Sequence, residues 1–78
     1  MTEKYYNEFK DLDLSLEELI NQEHKLANDL STIYHEMSVS IINNNKTTFD
    51  ILNEKSIELH CKLSAIRILI NQKRSDLG

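Results

Sequence analysis

Apolar residues recur along the first half of the chain at alternating steps of four and three. Tyr5, Phe9, Leu12, Leu16, Leu19, Leu26, Leu30, Ile33 and Met37 all fall on this series, and Glu23 takes its one polar step. Ile20, Ala27, Tyr34 and Ile41 recur every seven residues and widen the stripe on one side. Such a seam with one flank is the pattern of a helix lying against another helix. The second half repeats it with Phe49, Leu52, Leu59, Leu63, Ile66, Ile70 and Leu77, with Ser56 and Lys73 as polar members.

One stretch competes with the helical reading. "DLDLSLEEL" alternates polar and apolar residues as a strand would. Leu12, Leu16 and Leu19 nevertheless stay on the heptad, and no second strand signal exists to pair with it. Ser15 followed by Glu18 forms a capping box, in which each side chain satisfies the other residue's backbone N–H. A helix therefore either starts near Ser15 or is re-capped there. The second option is favoured, with the segment from about Thr2 to Asp11 helical but weakly held.

Between the two periodic halves lies "IINNNKTTFD", in a chain with no proline and a single glycine, Gly78. Asparagine tolerates the left-handed backbone that ends helices, and its side chain bonds to nearby backbone groups in turns. "NNNK" is expected to end one helix and reverse the chain. Thr47 or Thr48 is then expected to cap the next helix, Thr47 with Asp50 making a weaker capping box. The expected fold is all-α: one domain, an antiparallel, coiled-coil-like two-helix hairpin. Helix 1 spans about 15–42 with a helical N-terminal extension over 2–13, the turn 43–46, and helix 2 about 48–73. The two helices would be roughly 42 and 39 Å long at about 1.5 Å per residue, and matched lengths across a short turn favour the hairpin.

A helical wheel of helix 2 leaves a surplus. Leu52, Leu59, Leu63, Ile66 and Ile70 lie on one side, and Ile57, Cys61, Ala65 and Ile68 cluster nearly opposite. Helix 1 can cover only one of these faces. Scattered exposed apolar residues are ordinary, so the four residues are either tolerated singly or form a contact surface. A hairpin with little core of its own favours a contact surface, for self-association or for a second protein.

Composition narrows the classes. The chain has 78 residues and a net charge of −4. Residues 1–39 carry nine acids and three bases, residues 40–78 four acids and six bases, so an acidic first helix faces a more basic second one. A nucleic-acid binder would show a broad basic face. Only Arg67, Lys73 and Arg74 cluster, and a helix C-terminus favours bases in any case. No stretch approaches a membrane span of roughly twenty apolar residues. No uninterrupted apolar run in the first thirty residues suggests a signal peptide. The lone Cys61 excludes an internal disulfide and suits a reducing compartment, so a cytoplasmic protein is expected.

No enzyme, cofactor or metal site is expected. His24, His35 and His60 lack short ligand spacing, and no glycine-rich phosphate loop is present. His60 and Cys61 are adjacent, but neighbouring helix residues point about 100° apart and do not face each other as a nucleophile and base must. Tyr34–Glu36, "YHE", is no better placed, with Tyr34 on the seam and the other two residues facing solvent. Glu23 either pairs with a base such as Lys62 or Arg67 on helix 2 or reaches to the edge of the seam.

The segment Lys46–Ile70, "KTTFDILNEKSIELHCKLSAIRILI", resembles the small co-chaperones of type III secretion needle subunits, the YscE-like and SsaE-like proteins. A polar turn leads to an aromatic, Phe49, then a polar, serine-containing stretch, Glu54 to Ser56, then a small-plus-isoleucine run, "SAIRILI". Leu19 to Ile33 fits that family's first helix as a pattern of leucines, and the stretch through Asp13 has no counterpart in it. The resemblance implies a bacterial cytoplasmic helical hairpin without catalysis or cofactor. It would bind a tetratricopeptide-like chaperone and help keep an aggregation-prone needle subunit monomeric before export. It also allows self-association when the partner is missing. The competing reading is a self-associating hairpin serving as an oligomerisation or scaffold module. A chorismate-mutase-like dimer is disfavoured, because the seam carries no base except Lys73. A nucleic-acid-binding regulator is disfavoured by acidity and by the lack of a short helix-turn-helix pair.

Overall fold

A computed structural model describes residues 1–77 as three helices: α1 (Thr2–Asp11), α2 (Leu16–Ile42) and α3 (Lys46–Leu77). α2 and α3 pack as an antiparallel hairpin, and α1 packs on α3. The all-helical expectation holds. The two-helix count does not, because the expected extension over 2–13 is a helix of its own, folded back beside α3.

The joint explains the difference. α1 stops at Asp11, and Asp13 takes a left-handed φ of 50°. Ser15 is extended (φ −68°, ψ 164°) and caps α2: the Glu18 N–H donates to Ser15 Oγ at 3.2 Å, and the Ser15 N–H donates to Glu18 Oε1 at 3.3 Å. The alternating "DLDLSLEEL" is therefore a helix–helix joint. Leu14 and Leu16 pack against the core, while Leu12, expected on the seam, lies just past the end of α1 and is 63% exposed.

At the other end each asparagine has a separate task. Asn43 is the C-cap of α2 and Asn44 takes φ 56°. The Asn44 N–H donates to the Ile41 carbonyl at 3.1 Å and the Asn45 N–H to the Ser40 carbonyl at 2.9 Å, the bond pair of a Schellman motif. Asn45 then caps α3, its Oδ1 accepting from the Thr48 N–H at 3.1 Å. The turn is thus shorter than 43–46. The cap is Asn45 instead of Thr47 or Thr48, and Asp50 pairs with Lys46 at 3.4 Å instead of closing a capping box. α3 also runs past residue 73 to Leu77.

The core gathers Leu19, Leu26 and Leu30 of α2 with Leu63, Ile66, Leu69 and Ile70 of α3, and Tyr6 and Phe9 of α1 pack against it. Leu52 and Ser56 continue the seam toward the turn, the Ser56 hydroxyl donating to the Asn53 carbonyl at 2.7 Å. Ser40 is buried likewise, bonded to the Glu36 carbonyl at 3.0 Å. Tyr34 and Ile41 on the flank, and Leu77 at the end of the seam, are exposed. The molecule is elongated, 49 × 20 × 16 Å. It is three helices thick at the end holding the α1–α2 joint and two helices thick toward the asparagine turn.

Candidate protein-binding surface

The second face of α3 divides in two. Lys62, Ala65, Leu69, Gln72 and Asp76 form a stripe with helical spacing, and α1 lies along it. The Lys62 ammonium sits 5.5 Å from the Tyr5 ring centroid, and the Tyr6 hydroxyl donates to Gln72 Oε1 at 3.0 Å. Phe9, Leu14, Leu19 and Leu69 line the floor of a solvent-open pocket of about 210 Å³ beside the C-terminal half of α1, with Lys10, Asp13, Gln72, Lys73 and Asp76 around it. Ala65, on this stripe, has no exposed surface. It is therefore not part of an outward contact surface, contrary to the expectation. A chain with one covering helix could not bury it, but the third helix does. The same packing buries Leu69, which neither expected face included. Its signal in the sequence is the step of four from Ala65 to Leu69.

The other three expected residues stay together on the remaining strip. Ile57 is 49% and Ile68 43% exposed, and Cys61 lies half-buried between them. Ile68 borders a hollow of about 350 Å³ whose other walls, Asn71, Gln72, Ser75 and Asp76, are polar. A further groove of about 370 Å³ runs between α2 and α3 beyond the N-terminal end of α1, where Ile33 and Leu59 are flanked by Asp29, Thr32, Lys55 and Glu58. Around the turn, Val39, Ile41, Ile42 and Ile51 are exposed, so apolar surface extends along both the side and the tip of the hairpin.

Charged groups act as links between helices. Arg67 Nε donates to Glu23 Oε2 at 3.2 Å, joining α3 to the one polar step of the α2 seam. Lys73 approaches the Asp13 carboxylate at 3.9 Å. Two of the three bases in the C-terminal cluster thus face acids of the same chain, which reduces what that cluster offers a phosphate. His60 Nε2 and the Tyr34 hydroxyl are hydrogen-bonded, their rings tilted at 5.9 Å between centroids. His60 is therefore engaged across the hairpin and not with Cys61. Among the described residues, no three or more His, Cys, Asp or Glu side chains gather as a metal site, and no helix is long and apolar enough to cross a membrane.

No family model, curated protein or solved structure matches the chain.

Proposed function

We propose that the chain is a non-enzymatic helical co-chaperone of a bacterial type III secretion system. In this reading it acts in the cytoplasm, binds a tetratricopeptide-like chaperone, and with it keeps a needle subunit monomeric before export. The observation that carries the reading is the strip Ile57–Cys61–Ile68. It is apolar surface on α3 that neither α1 nor α2 covers, and it lies within the segment that resembles these co-chaperones. Concave, helix-lined chaperone surfaces accept such strips as apolar anchors at helical spacing. The burial of Ala65 narrows the strip without removing its two isoleucines.

The reading requires a tetratricopeptide protein encoded beside this chain in its own genome, and the test measures the binding of that protein to the wild type and to Ile68→Asp. On an exposed strip the new carboxylate stays hydrated in the free protein, so helical circular dichroism is retained. In the complex the same carboxylate is desolvated without a partner, and affinity falls about a hundredfold or more. Wild-type protein that forms no complex, or a variant that binds equally well, refutes the reading.

The second reading, a self-associating scaffold module, is favoured by the exposed isoleucines at the turn, Ile41, Ile42 and Ile51. Light scattering on the isolated chain separates the two. A scaffold is a stable oligomer that Ile42→Lys dissociates and Ile68→Asp leaves intact.

A further inference from the structure

α1 differs from the other two helices in how it is held. It contains no buried residue, whereas α2 and α3 each contain several. Its N-cap, Met1, makes no side-chain capping bond. Its polar ties to α3 are the exposed Tyr6–Gln72 hydrogen bond and the Lys62–Tyr5 contact, and the 3.9 Å Lys73–Asp13 approach follows just beyond its end. A pocket of about 210 Å³, open to solvent and rimmed by Lys10, Asp13, Gln72, Lys73 and Asp76, lets water reach the edge of the Phe9–Leu69 contact. The joint that would let it swing, Leu12–Ser15, is short and passes through left-handed Asp13. What α1 covers, by contrast, is well buried: Ala65 and Leu69. These two residues adjoin the exposed Ile68 on the same helix, and Ala65 lies one turn from Cys61.

We propose that α1 is a latch over part of the partner-binding face of α3. It opens as a unit while the α2–α3 hairpin stays folded. Opening joins Ala65 and the α1-facing side of Leu69, which otherwise stays in the hairpin core, to Ile57, Cys61 and Ile68, and so widens the narrow apolar strip. The inference rests on the binding role proposed for that strip. A ten-residue helix is too short to persist alone in water, so release also unwinds α1. That makes the opening a local unfolding step of the kind drawn from the least stable part of a fold. A partner helix with apolar anchors would then take the place that Tyr6 and Phe9 hold in the closed state.

Native-state hydrogen exchange on the full chain without any partner tests the latch. The α1 amides should be protected over an unstructured peptide, yet exchange about a hundredfold or more faster than the amides of Leu63–Ile70. Phe9→Ala should remove most of the remaining α1 protection and leave the α2 and α3 rates unchanged. Tyr6→Phe, which deletes only the Gln72 bond, should shift α1 in the same direction by less. Equal protection of α1 and the Leu63–Ile70 segment overturns the proposal, since α1 would then open only with the whole fold. So does a Phe9→Ala variant that loses protection in all three helices together. Fully unprotected α1 amides in the wild type overturn it too, since nothing would be latched. Because no partner is present, these outcomes are independent of the Ile68→Asp experiment. A missing complex beside the expected exchange pattern counts against the co-chaperone reading and leaves the latch standing as a property of the fold.

Discussion

Single side chains set the two reversals of this chain. Asn44 at φ 56° carries the left-handed step after α2, which costs an ordinary residue roughly 1–2 kcal/mol and asparagine less. Asn44→Ala should therefore lower unfolding free energy by about 1 kcal/mol in urea titrations, while Asn44→Gly should be neutral or slightly stabilising. In the core, Leu63 is almost fully buried among α2 and α3 residues. Leu63→Ala should cost about 2–5 kcal/mol, with the transition midpoint falling at unchanged slope. In a domain with a reserve of only about 5–15 kcal/mol, that is a large fraction. The use of asparagine was legible from the sequence, because three of them stand where glycine or proline would otherwise be needed. Which one caps α3 was not. Thr47, Thr48 and Asn45 are all competent caps, and the choice depends on where the Schellman motif leaves the chain pointing.

Helices bring the next level of constraint. The capping box at Ser15 was visible as a pair of residues three apart, and it fixes where α2 begins. Ser15→Ala should cost about 0.5–2 kcal/mol, read as a lower thermal midpoint. The seams of α2 and α3 were legible because burial on one side writes a strong period into the sequence. Leu19, Leu26, Leu30, Leu52, Leu63, Ile66 and Ile70 all occupy the buried face that the period assigns. The position of α1 was not legible. Its heptad continues in phase through Leu12 into α2, so periodicity alone gives no hint that the chain turns back at Asp13. The second face of α3 was partly legible for the same reason: an apolar stripe says that something covers it, but not whether the cover comes from the same chain. Ala65 and Ile68 now test that division directly. Ala65→Asp buries a charge under α1 and should lower helical circular dichroism, whereas Ile68→Asp should retain it.

At the scale of the whole molecule, connectivity matters more than any one contact. The Tyr6 hydroxyl meets Gln72 across 66 positions of sequence, and α1 packs on α3, which is made only after α2. During synthesis at about 5–20 residues per second, Tyr6 is added to the chain roughly 3–13 seconds before Gln72. For that interval Tyr5, Tyr6 and Phe9 have no docking site, while α2 can wait with its seam open only until α3 arrives across the three asparagines. α1 therefore cannot dock until the C-terminal half of α3 has been made, and the newborn chain passes through a stage in which its N-terminal aromatics are uncovered. A helper protein acting on that stage would meet the aromatic face of α1 that Lys62, Leu69 and Gln72 later receive.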